Sequence, residues 1–406
     1  MAQEAHGAIY DLLAVRGVSR RDFLKYCSYV AAMLGLSEAA APQIAAAVEK
    51  GAKLKPALWI NGGSCTGCTE SMAQVDSPDV ATVVLEILSI NAFETIMAAA
   101  GHDAEKNIAD TVAAGGYLLI YEGSVMTGED GNTLLVNGHK GTDILEEVAA
   151  GADAILAVGA CAVDGGWVYA HPNPAKAIGV QSFLDTVNIK TPVVNLPCCP
   201  TSPEWIVAMV VQWLLVAEDD PATFLAKTKL RTRTYRDTVT GRDVTLNYPE
   251  YVIGSTIHDN CPRRGHFENG HFVTEFGSEE EAKGYCLYKV GCKGPQTFTQ
   301  CPITRWNRSV SWCVQSGAPC IGCGGLNWVD NNTPFFKRLS SMQMGDTLGN
   351  VQPGSVAAVV GGVAAAALVA HGLGMKAAGR IGPDGPPVET AKAYDRKRMA
   401  KKGGDK

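Results

Sequence analysis

Twelve of the thirteen cysteines fall between Cys65 and Cys323, and their spacing sorts them into sets that could bind metal. Cys65 and Cys68 form a Cys-x-x-Cys pair, followed far along the chain by Cys161 and the adjacent Cys198 and Cys199. His258 and Cys261 sit three apart and lead to Cys286 and Cys292, one imidazole with three thiolates. Cys301, Cys313, Cys320 and Cys323 complete the series, ending in a second Cys-x-x-Cys. Four cysteines, or three with one histidine, are ordinary shells for structural zinc. Thiolates also hold iron-sulfur clusters, occasionally with histidine in place of cysteine. A series of three redox centres has an obvious use, whereas three adjacent zinc sites without nucleic-acid features are harder to motivate.

The elements that must position these residues show in the hydrophobic pattern. Apolar runs at Ala57–Asn61, Thr82–Leu88, Tyr117–Tyr121, Ala154–Val158 and Pro192–Leu196 read as strands, separated by helical windows such as Thr95–Ala113 and Asp143–Ala150. This alternation predicts an open parallel sheet with covering helices. Three of the strands run directly into cysteine-bearing loops, at Cys65 and Cys68, at Cys161, and at Cys198 and Cys199. Ligands of such sheets gather at the carboxyl ends of the strands. Four thiolates from three neighbouring loops can therefore enclose one cubane. From about Tyr248 the periodicity fades into turn residues and cysteines, so bound metal rather than a large apolar core is expected to fix that part.

With 406 residues, 46% of them hydrophobic, the chain is long enough for two domains with buried cores. Its net charge of −6 and the lack of a basic face exclude the footprint of a nucleic-acid binder. Both ends carry addresses. Ser19-Arg20-Arg21-Asp22-Phe23-Leu24-Lys25, followed by an apolar run to Leu36, is a twin-arginine export signal, and Cys27 is expected to leave with it. Export in the folded state lets cluster thiolates survive in a compartment that otherwise favours disulfides. At the other end, Val356–Met375 carries no formal charge, which meets the length for crossing a bilayer. From Lys376 onward there are nine Lys or Arg against four Asp or Glu, a basic tail expected on the cytoplasmic side.

These features together resemble the small, electron-transferring subunit of exported, membrane-bound nickel-iron hydrogenases. The resemblance is carried by the leader, Cys65-Thr66-Gly67-Cys68-Thr69-Glu70-Ser71, Glu94 to His102, Gly159-Ala160-Cys161-Ala162, Pro172-Asn173-Pro174, the His258–Cys261 pair and Ala318-Pro319-Cys320-Ile321-Gly322-Cys323. It implies a flavodoxin-like α/β domain, an irregular iron-sulfur domain and a C-terminal transmembrane helix. The corresponding boundaries are a signal region at 1–50, the sheet domain at 51–215, the iron-sulfur domain at 216–345, an anchor at 355–376 and the tail at 377–406. It further implies that Cys65, Cys68, Cys161 and Cys199 hold a proximal 4Fe-4S cluster. His258, Cys261, Cys286 and Cys292 match the distal 4Fe-4S ligands, and Cys301, Cys320 and Cys323 the medial ones.

Departures from the family pattern matter as much. Cys313 stands where many members have proline and a three-iron medial cluster, so a medial 4Fe-4S cluster with Cys313 as fourth ligand is expected, against a 3Fe-4S cluster without it. Cys198 replaces the usual glycine and is expected to neighbour the proximal site rather than ligate it. Gly67 and Gly166 lack the extra cysteines of some oxygen-tolerant relatives, and Ser64 replaces a common glutamate. Both Cys-x-x-Cys pairs serve clusters, so the nickel-iron centre is expected in a large-subunit partner and no residue here is catalytic. Glu70 and His102 are expected to support packing or that interface. The resemblance points onward to a cytochrome b in the membrane, with a helix-packing or interfacial role for His371 ahead of haem contact. A stand-alone iron-sulfur carrier and a zinc-binding membrane-attached protein are the alternatives.

Overall fold

The computed structural model describes residues 20–51, 55–75, 89–216, 223–338, 342–343, 350–351 and 353–377. The candidate strand at Thr82–Leu88, Ser19 of the leader and the tail from residue 378 lie outside them. Five parallel strands form the central sheet: β1 (Pro56–Asn61), β2 (Ser89–Phe93), β3 (Tyr117–Glu122), β4 (Ala152–Val158) and β5 (Val193–Leu196). Their order is β2-β1-β3-β4-β5, the doubly wound arrangement of flavodoxin-like folds, whose switch point lies between β1 and β3. Strand β3 is buried along its whole length because helices cover both faces of the sheet. Alternate residues divide between two cores. Trp59, Leu118, Ile120 and Leu156 face one, and Leu58, Leu119, Tyr121 and Ile155 the other.

Register brings the strand ends into line. Asn61 pairs with Glu122, Glu122 with Val158, and Val158 with Leu196, so the loops that follow emerge side by side. The N-terminal helices α1 (Arg20–Met33) and α2 (Ala41–Gly51) pack on this body, with Phe23, Cys27, Val30 and Ile44 buried. Further along come α3 (Gly67–Met72), α4 (His102–Ala114), α5 (Gly141–Ala150) and α6 (Gly159–Asp164). Helix α4 starts seven residues later than the sequence pattern suggests. Gly101, at φ 56°, breaks the preceding turn and defines the start. The expected helix at Asp143–Ala150 is α5 with two added residues.

Helix α7 (Pro203–Val216) is apolar on all sides and almost wholly buried. Such a helix needs cover all round, and α2 supplies part of it. An antiparallel hairpin, β6 (Leu230–Arg236) with β7 (Asp243–Pro249), then leads into the irregular region. Asn195 and Asn247 tie it to β5 by reciprocal side-chain bonds of 3.2 Å to backbone carbonyls. Beyond Ile253 the described chain up to Arg338 is built from turns and helices of at most five residues, as its fading periodicity predicts.

Residues 339–406 form a separate unit whose main element is helix α8 (Pro353–Ala377). A helix thus occupies the expected anchor. Among the described residues, however, no helix is long and apolar enough to cross a membrane, so the α/β body is established and a transmembrane role for α8 is not.

Candidate metal centres

Three loops at the carboxyl edge of the sheet build the first site. Cys65 follows β1, Cys68 lies in the first turn of α3, Cys161 lies in α6 after β4, and Cys199 follows β5. All four line a single cavity of about 60 Å³ together with Ser64, Gly123 and Pro200. Close approach is possible because glycines flank it. A Cβ on Gly159 would stand 2.5 Å from Cys68 Sγ, and one on Gly166 would stand 2.9 Å from Cys161 Sγ.

Beneath this cavity lies Glu122, which sequence reasoning passes over. Its buried carboxylate accepts bonds from Trp59 Nε1 (3.2 Å), Ser64 Oγ (2.9 Å), the Cys68 N–H (3.0 Å), the Thr69 N–H (3.0 Å) and Thr69 Oγ1 (2.6 Å). It therefore fixes the start of α3 and with it Cys68. The available signal is an acid closing the apolar run Tyr117–Tyr121, level with Asn61 at the start of the Cys65 loop. Asp164 holds the other side. It accepts from the Gly166 N–H (3.0 Å) and the Asn327 N–H (2.7 Å), joining α6 to the irregular region, and burial pushes its carboxyl up to about 6. Glu70 and His102 are both exposed, so neither packs within the chain.

The second site gathers His258, Cys261, Cys286 and Cys292 around a cavity of about 20 Å³ that also meets Arg263 and Tyr288. Burial, then the Arg264 charge, lowers the His258 pKa and so favours the neutral imidazole that ligation requires. The third site is larger. Cys301, Cys313, Cys320 and Cys323 line a cavity of about 220 Å³ with Trp306, Trp312 and Thr299. Trp306 also lines this cavity, and its Nε1 is buried without a hydrogen-bond partner among the described residues.

Burial pushes Cys161 and Cys286 each up to about 11, and Cys199 and Cys313 each up to about 12. Thiolates in these places need a cation's charge. Yet among the described residues no three histidine, cysteine, aspartate or glutamate side chains converge closely enough to hold a single ion. The thiols line the three cavities, and sets of this kind can hold iron-sulfur clusters.

The sites are contiguous. Cys199 and Pro200 line both the first and the third cavity. The third joins the second where the Cys320 N–H donates to Cys292 Sγ at 3.3 Å. Cys198, expected beside the first site, lines that cavity, and its carbonyl accepts from the Ala160 N–H at 2.8 Å.

Comparison with known proteins decides the family. Residues 253–336 match the C-terminal model of the NiFe/NiFeSe hydrogenase small subunit, and residues 65–213 match the NADH ubiquinone oxidoreductase 20 Kd subunit model. The periplasmic [NiFe] hydrogenase small subunit of Solidesulfovibrio fructosivorans is 38% identical over 80% of this chain and 95% of its own. The chain belongs to the nickel-iron hydrogenase small subunits. The quinone-reactive Ni/Fe-hydrogenase small chain of Wolinella succinogenes is likewise 38% identical, over 80% of this chain and 85% of its own. Among solved structures, the oxidised [NiFeSe] hydrogenase of Desulfovibrio vulgaris Hildenborough superposes with a TM-score of 0.62 at 34% identity, covering 70% of this chain and 97% of that one. As a hydrogenase small subunit the chain is part of an oxidoreductase, carries iron-sulfur clusters and pairs with a nickel-iron large subunit.

Proposed function

We propose that the chain takes electrons released by hydrogen oxidation in its large-subunit partner and passes them through three iron-sulfur clusters to an acceptor at the membrane. The observation that carries this is the unbroken series of thiol-lined sites, joined by shared walls and a direct N–H···S contact. Cys65, Cys68, Cys161 and Cys199 would hold the proximal 4Fe-4S cluster. Cys301, Cys313, Cys320 and Cys323 would hold a medial 4Fe-4S cluster, supported by Cys313 facing the same cavity as the other three. His258, Cys261, Cys286 and Cys292 would hold the distal 4Fe-4S cluster.

When bound, the clusters supply one-electron redox chemistry, and the polypeptide sets their position, solvation and potential. Glu122 orients Cys68 from below and Asp164 clamps the Cys161 loop against Asn327. Neutral His258 lowers the negative charge of the distal shell, which raises its potential and favours electrons arriving there.

The leader at 1–50 and helix α8 suit an exported protein held at the outer face of the cytoplasmic membrane. Relatives named as periplasmic and quinone-reactive agree with this placement, and with a cytochrome b feeding the quinone pool as the acceptor. Anaerobic purification of the heterodimer from membranes tests the whole. About twelve iron per chain with matching sulfide, and hydrogen-dependent reduction of a quinone analogue, are expected. Zinc without sulfide would overturn the proposal.

A further inference from the structure

Trp167 stands half-exposed beside the first site, yet it is held like a core residue. It lies in the single-turn helix Gly166–Tyr169, just after the loop of Cys161. The residue is 50% exposed, although its ring meets Trp328 edge-on at 5.0 Å between centroids and Phe335 at 5.9 Å. Trp328 is buried and stacks on Phe335 at 5.5 Å. Ala160 and Cys199, from the wall of the first cavity, pack in the same apolar cluster as these two rings. Backbone ties hold the cluster on both sides of Trp167. Asp164 accepts from the Gly166 N–H at 3.0 Å and the Asn327 N–H at 2.7 Å, and Asp330 accepts from the His171 N–H at 3.1 Å.

Exposure elsewhere in the sheet domain follows one direction. Among its described residues, the exposed large apolar side chains are Ile96, Leu135, Val136 and Trp167. Ile96 comes after β2, Leu135 and Val136 after β3, and Trp167 after β4, so all four lie in connections that leave the carboxyl edge of the sheet. Cys65 is exposed on that edge as well. The opposite edge carries no such side chain among the described residues. Scattered apolar residues need no explanation, but a set confined to one edge marks a surface built to be covered.

The chain pairs with a nickel-iron large subunit, and electron transfer between redox centres falls steeply with distance, so that partner must sit near the site that receives its electrons. The relay proposed above makes this the first site. We infer that Trp167, backed by Trp328 and Phe335, is the anchor of the large-subunit interface, filling an apolar pocket of the partner while Ile96, Leu135 and Val136 extend the covered edge. The choice of edge rests on that relay. Tryptophan is enriched among the few residues that carry most of an interface's binding energy, and a side chain already fixed loses little freedom on docking. Glu70 and His102, exposed on the same edge, supply a polar rim.

Brief hydroxyl-radical footprinting of the purified heterodimer, read by peptide mass spectrometry, tests this. Trp59 and Trp205, fully buried, serve as internal references. Trp167 should label as slowly as they do, and a Trp167 that labels well ahead of them overturns the inference. Trp167→Ala should raise the dissociation constant of the heterodimer about thirtyfold, the size of a hot-spot loss. Trp167→Phe, which keeps a ring, should recover most of it. Amide exchange separates an anchor from a packing role, because β3 and β4 should keep their protection in Trp167→Ala. Lost protection there, or an unchanged dissociation constant, would also overturn the inference. Iron and sulfide analysis of the same parent sample judges the relay on its own. Zinc without sulfide sinks the relay, whereas a full set of clusters with a fast-labelling Trp167 sinks only the anchor.

Discussion

Replacing Glu122 with glutamine tests whether the proximal site is held from beneath by a single carboxylate. Oε2 accepts three bonds, from Trp59 Nε1, the Thr69 N–H and Thr69 Oγ1, and Oε1 accepts two, from Ser64 Oγ and the Cys68 N–H. Glutamine keeps one carbonyl oxygen and will turn it toward the larger group. Its amide then faces Ser64, whose hydroxyl can rotate to accept, and the Cys68 N–H, which has no such option. One buried N–H left without an acceptor costs about 1–3 kcal/mol. For a domain of this size, that lowers the midpoint of thermal unfolding by roughly 2–4 °C per kcal/mol. Glu122→Ala strands three N–H donors and should cost several times more. Differential scanning calorimetry of the anaerobic heterodimer, with resonance spectra of the proximal cluster, measures both effects. A glutamine variant with unchanged unfolding and an unchanged proximal spectrum would refute the reasoning.

Other outcomes follow from the same geometry. Cys313→Pro removes the proposed fourth medial thiolate, so the oxidised variant should show a strong three-iron resonance signal that the parent lacks. Cys161→Ser withdraws a proposed proximal ligand and should abolish hydrogen-dependent reduction of acceptors while nickel remains in the partner, checked by metal analysis and dye reduction. Iron chelation under reducing conditions should loosen residues 253–338 before the central sheet, read as early loss of amide-exchange protection there with β1, β3 and β4 still protected. Asp164 has a folded pKa of about 6, above its ordinary value, so the native state holds the extra proton between about pH 4 and 6. Its contribution to stability should fall as pH rises through that window and flatten beyond it. Asp164→Asn should erase this slope in denaturation midpoints measured from pH 4 to 7.

Much of this is legible in the residues because metal ligands and strand ends are both written in type and spacing. The apolar runs ending at Asn61, Val158 and Leu196 place their cysteines at one sheet edge, and the register aligns these ends. The His258 and Cys301 sets each close on their own cavity as their spacing suggests. What escapes depends on tertiary geometry. Glu122 reads as the polar end of a buried strand until its five donors are seen, and four of those come from the loop and helix after β1. Nothing in Pro-Cys-Cys-Pro reveals the positive φ of Cys198. The start of α4 escapes because the Ala-rich approach to Gly101 satisfies helical periodicity without forming the helix.

Helices α1 and α2 lead to a different question. Phe23, Tyr26, Val30 and Ile44, the apolar side chains of the leader region, are buried against the body, while Arg21 beside them is exposed. On the proposed twin-arginine route, an export receptor that grips the apolar stretch as well as the arginines would compete with the protein's own core for those side chains. Burying each is worth roughly 1.5–3 kcal/mol, so releasing them together amounts to a sizeable latch. The better the body is folded around α7, the more firmly that latch is held. On the proposed export route, departure would be decided by a contest for the side chains of α1 and α2, and one of the contestants is the finished fold itself.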